Sequence, residues 1–174
     1  FTVASALVGT ILGSLLAGKP AELLGRKRTL TMLGIAYFVS SLGCGFAWNW
    51  AALLTFRFLG GIAIGVASVV SPMYIAEIAP PESRGRLVAV SQFNTVLGIL
   101  VAYFTNYVIA LIFAVPGADG ALVAWRWMFG ILAVPSVAFF FLVLRIPESP
   151  RWLVKQHRSP EALGILRRLG NQDA

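Results

Sequence analysis

Five apolar runs, each close to the length that crosses a bilayer, leave this chain few ways to fold. They cover residues 1–17, 30–47, about 51–78, about 87–113 and about 125–146. Each is long enough for a hydrocarbon core of about 30 Å. Inside such a core every backbone N–H and C=O must be satisfied within the segment or in a closed barrel, so runs of this length predict helices. Composition agrees: 58% of residues are hydrophobic and only 12% are charged, against roughly 25% charged in a soluble domain. The expectation is an all-α membrane protein.

Charge fixes the orientation. Lys19, Arg26, Lys27 and Arg28 follow the first run, Arg84 and Arg86 follow the third, and Arg145, Arg151, Lys155, Arg158, Arg167 and Arg168 follow the fifth. Of the 14 Lys and Arg residues, Arg57 and Arg126 alone fall elsewhere. The opposite connections, 48–50 and 114–124, hold one charge, Asp119. Retention of Lys and Arg in cytoplasmic loops explains this asymmetry. The basic loops and the C-terminal tail are therefore expected in the cytoplasm. The net charge of +7 then needs no nucleic-acid partner, and no nucleic-acid-binding motif is present. Trp48, Trp50, Trp125 and Trp127 sit at the outer ends of runs, where interfacial aromatic belts form.

The sequence opens at Phe1 within an apolar run that has no basic leader and no cleavage site. It is read as a membrane helix, not a signal peptide, and the chain is expected to be part of a larger protein. Cys44 is the single cysteine, which excludes an intrachain disulfide. His157 is the single histidine and lies in the basic tail, so neither a metal-ligand cluster nor a Ser/His/acid set is available. No cofactor and no enzymatic activity are expected. In the tail, Ser159 suits a helix cap, Pro160 a first helical position and Gly170 a helix end. Leu163, Leu166 and Leu169 then form one apolar stripe, which predicts an amphipathic interfacial helix packed under the bundle.

Three features inside the membrane carry more specific information. Gly9 and Gly13, continued by Ala17, and Gly61 and Gly65, beside Gly60, are spaced for close helix approach. Arg57, near the outer end of the third run, either snorkels to the interface or pairs with a carboxylate from another helix, since an intramembrane cation is costly alone. Gln92, Thr95, Ile99, Tyr103 and Asn106 follow one another at spacings of 3, 4, 4 and 3, and so lie within about 60° of one direction on a helix. This polar face suits either a polyhydroxylated ligand in an aqueous cavity or hydrogen bonds between helices. Asn94 points the other way and suits the helix contact.

Several segments together resemble the N-terminal half of a sugar porter of the major facilitator superfamily, from its second to its sixth helix and into the intracellular helical segment. GKPAELLGRKR (18–28) is similar to the superfamily loop between helices two and three. RFLGGIAIG (57–65) resembles the helix-four glycine motif, and YIAEIAPPESRGR (74–86) the segment joining helices four and five. SQFNTVLGILVAY (91–103) resembles helix five and WRWMF (125–129) the start of helix six. PESPRWL (147–153) is the most family-specific. The resemblance implies five transmembrane helices in 1–147 and an intracellular helical segment in 148–174. It also implies an absent first helix and an absent C-terminal six-helix half as intramolecular partners.

The function implied is transport of a monosaccharide, hexose or pentose, by alternating access, in which two halves rock around a central site. Proton symport is the expected coupling, in a cell membrane. The alternatives keep the fold and change the cargo to a polyol, phosphate or organic ion, or replace transport with sugar sensing. By resemblance, Gln92, Thr95 and Ile99 line the sugar site, and Arg57 acts in proton coupling with an acid on the first helix. The inner gate is assigned in the same way to Gly18, Glu22, Gly25, Arg26, Lys27, Glu77, Arg84, Glu148 and Arg151. Gly18 and Gly25 are expected to allow a tight turn and close backbone approach. The ion pairs are expected at a wet rim, worth about 0–1 kcal/mol each. Two positions depart from the family pattern: Glu22 stands where Asp is usual, and Leu23 where a basic residue is common.

Overall fold

The computed structural model describes residues 2–80, 82–113 and 118–168, with the backbone alone at 118–122 and 168. The expected helix end at Gly170, the stripe residue Leu169, the side chain of Asp119 and the connection 114–117 therefore lie outside the described residues. Everything regular within them is helical. The helices are α1 (Thr2–Leu16), α2 (Gly18–Leu24), α3 (Arg26–Gly45), α4 (Trp50–Ile78), α5 (Arg84–Ile112), α6 (Ala118–Gly130), α7 (Ala133–Arg145), α8 (Pro150–Lys155) and α9 (Ser159–Arg168).

Prolines set two of the breaks. A proline ring clashes with the carbonyl four residues earlier and cannot donate to it. Pro20 places that clash at Leu16, the last residue of α1, and the chain bends there by 50° into α2. The stretch 18–24, expected as a loop, is therefore helical. Pro135 places the same clash at Ile131, where the fifth apolar run divides into α6 and α7. Despite that break, Val123–Arg145 remains long and apolar enough to cross a membrane, as do α4 and α5, and α1 with α2 makes a fourth candidate. The fifth expected crossing falls on α3. Its opening turn carries Arg26, Lys27 and Arg28, and Thr29, Thr31, Ser40 and Ser41 dilute the rest, so length and composition alone do not qualify it.

The bundle is centred on α3 and α4. α1 packs along α4, and α3 packs against α4, α6 and α7. The core between them is built from small and branched side chains, among them Ala17, Leu30, Leu33, Ala63, Val66, Val70 and Val143. The two glycine pairs face each other across α1 and α4. A Cβ on Gly13 would meet the carbonyl oxygen of Ile62, and one on Gly61 or Gly65 would meet the carbonyls of Ala6 or Thr10. Without side chains the two backbones touch, and in lipid such packing replaces the hydrophobic effect as the source of association.

α5 is different. It touches α4 and α6 only lightly and buries none of its residues. At the basic end, α8 is capped by Ser149, whose hydroxyl accepts from the Trp152 N–H, with Pro150 as its first residue. α9 begins at Ser159, one residue before the position expected. It packs on α8 through Ala162 and Ile165, against Trp152 and Leu153. Leu163, expected on the buried stripe, is 51% exposed.

Gly13→Leu is expected to force α1 off α4 at a cost of about 1–3 kcal/mol. It should lower the thermal midpoint of the purified full-length protein. Gly164→Ala is the control, because its Cβ meets nothing within 4 Å and should leave the midpoint unchanged.

Candidate functional site

The basic end gathers segments far apart in sequence. Arg26, at the start of α3, donates from Nη2 to Glu77 Oε1 near the end of α4 at 2.8 Å, and from Nη1 to the carbonyl of Ala21 at 3.1 Å. The second carboxylate oxygen of Glu77 accepts from the Ser149 hydroxyl at 2.6 Å. Both side chains of the pair are only 5% exposed. The expectation of a weak, wet ion pair is therefore corrected here. The guanidinium's partners come from α2 and α4, the pair is desolvated, and its partners must stay matched.

Glu148 makes a different contact from the one expected. Its Oε1 accepts from the backbone N–H of Lys27 and of Ser149, each at 3.0 Å. The carboxylate thus sits on the open N–H groups of the first turn of α3, where the helix dipole favours an anion. Gly25 makes room for it. Its φ is +90°, and a Cβ there would lie 2.6 Å from Glu148 Oε2 and 3.2 Å from the Trp152 ring. Both reasons for glycine apply at this position. Neither applies at Gly18, which opens α2 in open space.

The remaining gate candidates are more exposed. Arg84 and Arg151 line a polar cleft of about 460 Å³ that also touches Glu22, Glu77 and Lys155. Among the described residues neither arginine forms an ion pair, whereas Glu22 meets Lys155 at 3.8 Å with both side chains well exposed. The side chain of Lys27 has no ion-pair partner among the described residues either; this residue contributes its backbone N–H. Two participants went unnoticed in the sequence. Ser149 bridges α8 to Glu77, and Trp152 donates from Nε1 to the carbonyl of Glu22 at 2.8 Å. The cap-then-proline pattern Ser149-Pro150 was the available signal for the first.

Arg57 lies at the other end. Its guanidinium carbon sits 4.8 Å from the centre of the Phe129 ring, a cation–π contact that offsets part of the cost of an embedded cation. No carboxylate lies within 4.0 Å of it among the described residues. Arg57 lines two clefts. One, of about 480 Å³, includes Trp48, Asn49, Trp125 and Arg126; the other, of about 220 Å³, includes Tyr37, Ser40, Ser41, Cys44 and Ser136.

The α5 stripe is brought to no partner. Gln92, Thr95, Ile99, Tyr103 and Asn106 are all exposed, and the Thr95 hydroxyl returns to the Ser91 carbonyl at 3.1 Å. Asn94, by contrast, faces a small cleft against Tyr74 and Ile75 of α4, as its opposite direction implies. The α5 stripe and Arg57 are thus separate from the basic-end network.

The basic end, the glycine seam and the open polar face of α5 thus belong to one helical bundle. The chain belongs to the family described as "Sugar (and other) transporter", whose profile matches residues 1–174. It is 38% identical over 168 residues to the major myo-inositol transporter IolT of Bacillus subtilis, covering 97% of this chain and 34% of that protein. It is 37% identical over 192 residues to the D-xylose-proton symporter of Escherichia coli, covering 97% and 38%. The solved structure of the major facilitator superfamily proton:xylose symporter XylE, bound to 6-bromo-6-deoxy-D-glucose, superposes with a TM-score of 0.89 at 35% identity, over 98% of this chain and 39% of that one. The chain therefore spans somewhat more than a third of the length of these relatives. It is an integral membrane protein with several helical spans.

Glu77→Gln should destabilise the full-length protein by about 3–5 kcal/mol, the scale for breaking one side of a buried ion pair. A paired Arg26→Met/Glu77→Leu variant should recover most of that loss. Chemical denaturation of the three proteins checks both expectations.

Proposed function

We propose that this chain is part of a secondary transporter that carries a monosaccharide, a hexose or pentose, in symport with protons by alternating access. The observation that carries the reading is the α5 stripe: an amide, a hydroxyl, a phenol and a second amide turned to the side of the bundle that no described helix covers. Buried hydroxyl-rich ligands need such groups, because every sugar hydroxyl removed from water must be hydrogen-bonded again. The names of the relatives support the same class of cargo. One is a myo-inositol transporter, which favours a cyclic polyol as the second reading.

In this reading Gln92 and Thr95 bond to sugar hydroxyls, and Ile99 packs on the sugar's carbon face. Arg57 holds the proton-binding acid of a helix outside this sequence, and Phe129 holds Arg57. The basic end is the cytoplasmic gate, in the plasma or inner membrane. Glu77 and Arg26 form its rigid base. Glu22, Arg84, Arg151 and Lys155 form its exposed rim, which meets the other half of the transporter. Rim pairs of this kind are worth about 0–1 kcal/mol each, weak enough to part in every cycle.

Gln92→Ala in the full-length protein is expected to weaken sugar binding by about 1–3 kcal/mol, the cost of leaving buried hydroxyls unpaired. Equilibrium binding measures it, and unchanged affinity would remove Gln92 from the site. Arg57→Ala is expected to abolish uphill accumulation while leaving sugar exchange in reconstituted vesicles. Accumulation at the normal rate would remove Arg57 from the coupling step.

A further inference from the structure

The surface formed by α3, α6 and α7 carries a groove that the transport reading does not use. Gly45 of α3 and Gly130 of α6 form its floor. A Cβ on Gly45 would sit 3.3 Å from the Arg126 carbonyl and 3.5 Å from Gly130 Cα, so the helices nearly touch there. Leu42 and Phe46 on one side, and Trp127, Ile131 and Val134 on the other, rise around this floor to enclose about 430 Å³. That volume falls in the range of small-molecule clefts. Phe46 is 76% exposed and Trp127 57%, so the walls stand open to the surroundings. An ordinary lipid-facing helix surface is convex and exchanges lipid freely. This one is concave because both residues at its floor lack side chains.

A positive charge lies beside the groove. Arg126 lines both this groove and the neighbouring cleft of about 480 Å³, and its guanidinium lies on the side of that cleft, 5.3 Å from the Trp125 ring with one long contact, 3.4 Å, from Nη2 to the Ala47 carbonyl. Those contacts use little of a group with five N–H donors. Arg126 and Arg57 are the two cations at the end of the bundle that holds no other Lys or Arg. Arg126 stands beside Trp125 and Trp127, at the depth where aromatic belts meet headgroups. An apolar trough with a cation beside it at headgroup depth matches one molecule by shape and charge: an anionic phospholipid. Its acyl chain would lie along Gly45 and Gly130, and its phosphate would lie on Arg126.

We infer that this groove holds an ordered anionic phospholipid in the leaflet at the tryptophan end of the bundle. The lipid would seal α3 against α6 and α7. The site requires only that the chain be membrane-embedded, so it stands or falls independently of the cargo.

The test uses the full-length protein, delipidated and then titrated with phosphatidylglycerol or phosphatidylcholine, with bound lipid counted by native mass spectrometry. The unaltered protein should retain one phosphatidylglycerol in preference to phosphatidylcholine. Gly130→Leu should fill the groove and remove that lipid. A Cβ at this position meets nothing within 4 Å, so the fold should persist, as an unchanged thermal midpoint in lipid-free detergent would record. Arg126→Gln, which leaves the groove intact, should weaken phosphatidylglycerol by about ten-fold and erase the preference over phosphatidylcholine. Equal retention of the two lipids by the unaltered protein would overturn the inference. So would undiminished retention in Gly130→Leu, or an unchanged preference in Arg126→Gln.

Discussion

The buried pair between Arg26 and Glu77 is the contact on which the rest of the basic end depends. It joins the start of α3 to the end of α4, and through Ser149 it reaches α8. At 5% exposure on both sides neither charge can turn to water instead, so the three segments must arrive together or leave a charge stranded at a cost of several kcal/mol. Glu148 reinforces the arrangement from the other side by closing the first turn of α3. Gly25 is the backbone condition for both, since any larger residue would occupy the position of the carboxylate. The buried contacts of this end therefore lie inside the bundle, while Glu22, Arg84, Arg151 and Lys155 stay exposed.

The opposite end works on softer interactions. Arg57 rests on the face of Phe129, and Arg126 on that of Trp125. Cation–π contacts fix a guanidinium without neutralising it. Between the two ends the glycine seam of α1 and α4 holds the helices in backbone contact, with no room for an added side chain.

Much of this was readable in the residues. The apolar runs predicted helices because lipid allows nothing else to a single run of that length. The glycine spacing predicted the α1–α4 contact because small residues four apart share one face. The helical period predicted that Gln92, Thr95, Ile99, Tyr103 and Asn106 would point one way and Asn94 another. Other features were not readable. Residues 18–24 looked like a loop because they open on a glycine and carry Lys19, Pro20 and Glu22, yet Pro20 bends the chain and does not end its helical course. Glu148 is assigned by resemblance to the same gate as Arg151, three residues away. It instead reaches Lys27, 121 residues earlier in the chain, because a helix N-terminus is a set of donors that sequence does not display.

The sequence by itself determined the class and the family. These follow from hydropathy and from motifs that are local in the chain. Tertiary structure alone decided which charges are buried. Glu77 and Glu22 carry the same carboxylate, and both lie in segments that also hold arginine. One is buried against Arg26 and Ser149, and the other faces Lys155 in the open. Burial is a property of what surrounds a side chain, and those surroundings come from helices that meet only after the chain has folded. The same holds for the groove on α3 and α6: Gly45 and Gly130 are unremarked in the sequence, and they make a concave surface only where the two helices cross.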